Sequence, residues 1–253
     1  MSNLKRFDDK VAIITGAGSG MGRSCAIRLS EEGARVIAVD VNEEGLEETC
    51  RLAGSKSWFL KASVSEELEV KNMVKTVVAK EGKIDVLINM AGILRSSVTT
   101  ETTIEQFMLP IQVNLLGTFL TIRETIPHLL KTQGNIVNAA STSAFFGHPY
   151  MPGYSASKGG VVAMTKALAW EYLKQGVRIN AVAPGGIATG MTNNNPLENL
   201  GENVDYTLLE HLGRMGMSMG KPEDVAGVVA MLASEDGNFC TGEIIKIDGG
   251  NHN

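Results

Sequence analysis

Residues 11–22 read VAIITGAGSGMG: five apolar or β-branched residues, then a turn with glycines at 16, 20 and 22. A short, near-continuous apolar run bounded by glycine reads as a strand buried on both faces. The glycines let the chain turn tightly and bring its backbone, and the helix N-terminus that follows, close to a pyrophosphate. Alone, such a turn is weak evidence, because many glycine-rich turns are only tight turns. Its place between a strand (11–15) and a helical stretch (20–32) supplies the context. The alternation continues outward to the end of the chain. Strands are predicted near 35–40, 57–61, 86–89, 135–140, 178–183 and 243–247, and helices over 43–53, 66–81, 104–131, 153–175 and 222–234. Buried strands separated by helices, joined by right-handed crossovers, give an α/β fold: a single Rossmann-type doubly wound parallel sheet of about seven strands with helices on both faces. No repeat or linker divides residues 1–253, so one dinucleotide-binding and catalytic domain is expected.

Asp40 ends the second predicted strand, about 20 residues past the glycine turn, where an acidic side chain can accept hydrogen bonds from ribose hydroxyls and repel a 2′-phosphate. The competing reading of Asp40 as a helix N-cap is better filled by Asn42. No Lys or Arg stands at 17–21 or at 41 to pair with a phosphate, so NAD is expected in preference to NADP.

Tyr154 and Lys158 stand four apart in YSASK at the start of a helical pattern, which puts phenol and ammonium on one face. A tyrosine that acts as a base near neutral pH needs a neighbouring positive charge, because its free pKa is about 10. Lys158 can supply that charge. Ser141 closes the preceding strand, at the carboxyl edge where such sheets bind ligands, and its hydroxyl can hold a substrate oxygen beside the phenol. An arbitrary Tyr-x-x-x-Lys is ordinarily packing plus a solvated lysine. Thirteen residues past a strand-ending serine and downstream of a dinucleotide turn, the pair reads as a site.

Together these residues resemble the classical short-chain dehydrogenase/reductases over essentially the whole chain: TGAGSGMG (15–22), NMAG (89–92), Asn114, Ser141, YSASK (154–158) and PGGIAT (184–189). The resemblance implies an oxidoreductase that moves a hydride between NAD(H) and the carbinol or carbonyl carbon of an alcohol or ketone. It implies Tyr154 as acid/base, with Lys158 lowering its pKa and binding the nicotinamide ribose, and Ser141 orienting the substrate oxygen. Asn114 would hold, through its backbone, a water linking Lys158 to solvent; the plain alternative is a buried mid-helix asparagine satisfied by its neighbours. Cofactor contacts would come from Gly16, Ser19, Gly20, Met21, Asp40, Ser63 and Val64. Asn89, Ala91 and Gly92 would line the adenosine ribose and steady the sheet, and Pro184, Gly185, Ile187 and Thr189 would frame the carboxamide. Two positions depart from the family pattern: Met90 stands where a second Asn is common, and Ser63 where an Asp often meets adenine. The alternatives are a reductase of 3-oxoacyl thioesters and a non-catalytic dinucleotide-binding protein.

Composition sets limits on partners and compartment. With net charge −5 the chain presents no basic field for nucleic acid. Glu43, Glu44, Glu47 and Glu48 read as a solvated helix face. Cys25, Cys50 and Cys240 form no CxxC or disulfide framework, as in a reducing cytoplasm. The four histidines lack metal-ligand spacing, so no metal is expected. The polar MSNLKRFDDK start suggests no signal peptide, and no apolar run approaches the roughly 20 residues of a membrane span. A cytoplasmic enzyme is expected. Residues 190–219, rich in Asn, Gly, Leu and Met, break the rhythm and suggest a substrate lid, with Leu208, Leu209, Leu212 and Met215 on a short amphipathic helix. Met191, Met215, Met217 and Met219 would suit an adaptable apolar pocket or simply pack on the body. His148 and Tyr150 are further candidates to touch substrate. Helix 153–175 spreads Val161, Val162, Met164, Leu168 and Trp170 over more than one face. A homotetramer is expected on the family's pattern, unless helix 104–131 of the same subunit covers that surface.

Overall fold

The first strand, β1 (Val11–Thr15), is buried along its whole length and alternates its side chains between two cores. Ala12 and Ile14 face one side, Val11 and Ile13 the other. That alternation fits a sheet covered on both faces. The structure is a computed structural model that describes residues 5–193, 200, 204–212 and 219–251. In chain order β1 is followed by α1 (Gly20–Glu31), β2 (Arg35–Asp40), α2 (Glu43–Ala53), β3 (Trp58–Lys61), α3 (Glu67–Glu81) and β4 (Val86–Asn89). Then come α4 (Ile104–Pro110), α5 (Gly117–Thr132), β5 (Asn135–Ala139), α6 (Pro152–Glu171), β6 (Arg178–Pro184), α7 (Gly190–Asn193), α8 (Pro222–Ala233) and β7 (Ile244–Ile247). All strand pairings are parallel, in the order β3-β2-β1-β4-β5-β6-β7.

One core packs α1 and α8 on the sheet through Cys25, Leu29, Val225 and Val229; the other packs α3 and α5 through Val70, Val74, Ile126 and Leu129. Strand order reverses between β1 and β4, and a crevice opens above the carboxyl ends of those two strands. No helix among the described residues is long and apolar enough to cross a membrane.

Two predicted helices differ from the observed ones. The single helix over 104–131 is interrupted by a π-helical segment, Ile111–Leu116, between α4 and α5. Pro110, just before it, has no N–H to give to the regular ladder. The helix predicted over 153–175 ends at Glu171 and passes through a 3₁₀ turn, Leu173–Gln175, to Gly176 at φ +78°, a left-handed conformation suited to glycine. Of the amphipathic helix expected in 190–219, the described part is a 3₁₀ helix, Tyr206–Leu212; Met215 and Met217 lie outside the described residues.

Candidate active site

At the β1–α1 turn the backbone makes the site. Gly16 has φ +66°, and a Cβ added there would stand 2.6 Å from Ala91 N, so only glycine lets this turn touch the one after β4. A Cβ on Gly22 would lie 2.1 Å from Gly16 O. The Ala91 N–H donates to Thr15 Oγ1 at 3.2 Å, tying the two turns. Ser19 precedes α1 without a side-chain cap, and the first turn carries no acidic residue. The positive end of the helix is therefore uncompensated where Ser19, Gly20, Met21 and Gly22 line a cleft of about 350 Å³. This suits a pyrophosphate.

Asp40 lies on the wall of the same cleft. Its Oδ2 accepts from the Gly18 N–H and its Oδ1 from the Asn42 N–H, both at 3.0 Å. Asn42, as the sequence suggests, is the residue that caps α2, accepting from the Gly45 N–H at 3.1 Å. Arg23 braces the glycine turn from beneath, donating to Gly18 O at 2.5 Å, Gly45 O at 3.2 Å and Thr49 Oγ1 at 2.9 Å. The Thr49 hydroxyl donates to Ala17 O at 2.7 Å. Ser63 and Val64 also line the cleft. The Ser63 hydroxyl lies 2.9 Å from that of Ser65, and its N–H donates to Glu69 at 2.8 Å.

On the far side of the crevice side chains make the site. Ser141, just past β5, lines one cavity with Tyr154, and its hydroxyl accepts from the Ser143 N–H at 3.2 Å. Lys158, one helical turn beyond Tyr154, is buried and donates from Nζ to Ala139 O at 2.7 Å; Nζ stands 5.9 Å from the Tyr154 ring centre. Burial pushes the Lys158 ammonium down to about 8. Burial also pushes the phenol above its usual value, with the Ser141 hydroxyl working against it. The lowering expected from Lys158 is absent: the phenol is held above, not below, its ordinary range.

These three residues line a cavity of about 300 Å³ with Pro184, Gly185, Ile187 and Thr189. Met21, Met90, Gly92, Thr189 and Met191 line both this cavity and the first cleft, so the two are continuous. The 186–188 segment is held by Gly220, whose N–H donates to Gly186 O at 2.9 Å and whose carbonyl accepts from the Ala188 N–H at 2.8 Å.

Asn114 sits in the π segment, fully buried. Its Oδ1 accepts from the Ile93 N–H at 2.8 Å, and its Nδ2 donates to Ile93 O and to Ser157 Oγ, each at 3.0 Å. Its carbonyl accepts from the Thr118 hydroxyl at 2.7 Å. The side chain clamps the segment after β4 to α6; π turns of this kind often mark functional sites. The side chain of Asn89 steadies the sheet, as expected, donating to Asn138 Oδ1 at 2.9 Å; the cleft lining after β4 comes from Met90, Ala91 and Gly92.

A family model described as enoyl-(acyl carrier protein) reductase matches residues 16–252. The chain is 40% identical over 252 residues to 3-oxoacyl-[acyl-carrier-protein] reductase of Thermotoga maritima, covering 97% of this chain and 98% of that one. It is 39% identical over 246 residues to meso-2,3-butanediol dehydrogenase of Serratia marcescens, covering 97% and 95%. The crystal structure of levodione reductase superposes with TM-score 0.89 at 36% identity, over 97% of this chain and 98% of that one. The chain belongs to the classical short-chain dehydrogenase/reductases. It is an oxidoreductase of that family, whose members use a nicotinamide dinucleotide. The names of its relatives differ over substrate.

As a short-chain dehydrogenase/reductase, the chain carries site residues that sequence reasoning missed. Arg23 and Thr49 brace the glycine turn, and Leu94 and Met151 line the catalytic cavity. Nothing in the local pattern marks Thr49 or Leu94. Met90, noted only as a departure from the family, is a buried core residue that faces both parts of the cleft.

Proposed function

We propose that this short-chain dehydrogenase/reductase interconverts an alcohol and a ketone with NAD(H), using Tyr154 as acid/base. One observation carries the reading. Ser141, Tyr154 and the buried Lys158 ammonium share a cavity that continues into the cleft lined by the glycine turn and Asp40. NAD(H), when bound, accepts or supplies the hydride. The glycine turn and the α1 N-terminus hold its pyrophosphate, Asp40 accepts from the adenosine ribose hydroxyls, and the segment from Pro184 to Thr189 frames the carboxamide. Ser141 orients the substrate oxygen. Tyr154 gives that oxygen a proton in reduction and takes it back in oxidation, and the Lys158 charge stabilises the phenolate left behind.

A second reading, reduction of 3-oxoacyl thioesters, has the Thermotoga relative in its favour. Asp40 opposes it in so far as that chemistry uses a 2′-phosphorylated cofactor. The test is a screen of secondary alcohols, their ketones and 3-oxoacyl thioesters with NAD(H) and NADP(H), following the absorbance of the reduced cofactor. Turnover of simple alcohols or ketones with NAD(H) supports the first reading. Turnover of thioesters alone, with NADPH, overturns it in favour of the second.

The working unit is proposed to be a homotetramer with residues 190–219 as the substrate lid, of which 194–199, 201–203 and 213–218 lie outside the described residues. Part of the broad apolar surface of α6 is covered within the subunit, since Val161 is buried against Leu115 of the π segment. Trp170, however, is 80% exposed at the far end of the helix, and Phe119 is exposed on α5. Light scattering should give about four times the 27.0 kDa chain mass; a mass of one chain contradicts the assembly.

A further inference from the structure

The inward stripe of α6 is defined by what it lacks. Besides Lys158, its buried positions lie four apart: Gly153, Ser157, Val161, Thr165 and Ala169. A single mid-sized aliphatic side chain stands among small and hydroxyl-bearing ones on this stripe, and the larger apolar side chains of the helix, Met164 and Leu168, pack on the core part-buried from beside it. Hydrogen bonds fill the stripe itself. Near the start of the helix, Ser157 Oγ accepts from Asn114 and donates to Tyr154 O at 2.6 Å. Two turns later Thr165 Oγ1 accepts from Asn138 Nδ2 at 3.0 Å.

Asn138 belongs to a longer line. Its Oδ1 accepts from Asn89 Nδ2 at 2.9 Å, and Asn89 Oδ1 accepts from the Thr121 hydroxyl at 2.8 Å. Asn89 and Asn138 are register partners on β4 and β5, so their side chains share one face of the sheet. The line Thr121–Asn89–Asn138–Thr165 therefore runs from α5 across two strands to α6. All four residues are at most 2% exposed. Each strand leaves this line directly into the site: Asn89 into Met90–Gly92, and Asn138 into Ala139, whose carbonyl receives Lys158, and then Ser141.

We propose that Asn138 and Thr165 are positioning residues that fix the height of α6 on the sheet and thereby place Tyr154 and Lys158 against Ser141. Apolar contact is non-directional and leaves a helix free to slide along the sheet; a buried hydrogen bond at 3.0 Å does not. A misplacement of about 1 Å far from the reacting atoms can slow a reaction about a hundredfold. The proposal rests on Tyr154 and Lys158 having the roles given above.

The test compares Thr165→Val, which keeps the shape and removes the hydroxyl, with Thr165→Ser, which keeps the hydroxyl, and with Tyr154→Phe. The expected result for Thr165→Val is a kcat lower by about ten- to a hundredfold. Its KM for NAD should stay within about twofold, because the glycine turn is not touched, and Thr165→Ser should recover most of the lost kcat. If Thr165→Val does not fold, Thr165→Ala enters the same comparison. A folded variant with wild-type kcat, whatever its melting temperature, overturns the proposal and leaves a role in stability alone. An inactive Tyr154→Phe beside such a variant overturns the positioning role only. Full activity in Tyr154→Phe overturns the acid/base reading as well.

Discussion

The turn after β1 and the helix after β5 face each other across one crevice and solve the same problem with different parts. At the turn, positive φ at Gly16 and the absence of a Cβ at Gly22 let peptide groups lie against one another, and the side chains nearby, Arg23, Thr49 and Asp40, mostly brace the backbone. At α6 the backbone is a plain helix, and the chemistry lies in buried side chains, whose burial moves Tyr154 and Lys158 in opposite directions. A dinucleotide offers the same shape and charge to every enzyme that uses it, so a backbone cradle suffices. Proton transfer to a particular oxygen needs functional groups held in place and partly desolvated.

The contrast breaks most sharply at Gly22. Gly22→Ala puts a Cβ onto Gly16 O, and the turn must open to admit it. NAD affinity, read by quenching of intrinsic fluorescence, should fall by about two orders of magnitude while α6 keeps its arrangement. Unchanged affinity would show that the cradle is not made by the close approach of these peptides. A smaller effect is expected at Asp40. Asp40→Ala removes both the acceptor for the ribose and the anion that opposes a 2′-phosphate, so the preference for NAD over NADP in kcat/KM should drop about tenfold or more. An unchanged ratio places selectivity elsewhere. The smallest effect sharpens the other side. Lys158, depressed to about 8, is charged below that pH and neutral above it, while the raised phenol stays protonated through neutrality. In the reductive direction kcat/KM should therefore be level near pH 7 and decline as pH rises through about 8. Lys158→Arg, charged throughout this range, should move any residual decline upward. A flat wild-type profile to pH 9.5, on the order of 1.5 units above the break, contradicts the assignment.

The same division governs what the sequence reveals. The strands stand within a residue of their expected bounds because each is a short apolar run closed by a turn, a local signal. Gly16, Gly20 and Asp40 are legible for a similar reason: a backbone cradle is written in consecutive residues. The π turn at Ile111–Leu116 was not legible, since Pro110 hints only at a disturbed ladder and the partners of Asn114 come from Ile93 and Ser157. The line from Thr121 to Thr165 was invisible altogether. Its members belong to four elements and meet only when β4 and β5 pair in register. Sequence reasoning expected Asn89 to face the cofactor as well as the sheet, and its side chain joins β5 and α5.

The central claim is that the Tyr154 hydroxyl moves the proton. It is tested most directly by Tyr154→Phe, assayed for NADH oxidation with the best ketone substrate beside an NADH-binding titration. The variant loses one oxygen and keeps the ring. The account predicts a kcat lower by about three orders of magnitude with NADH affinity nearly unchanged. A variant that binds NADH normally and keeps more than about a tenth of the wild-type kcat would contradict it, because general acid catalysis by the only phenol lining the cavity among the described residues would then be dispensable.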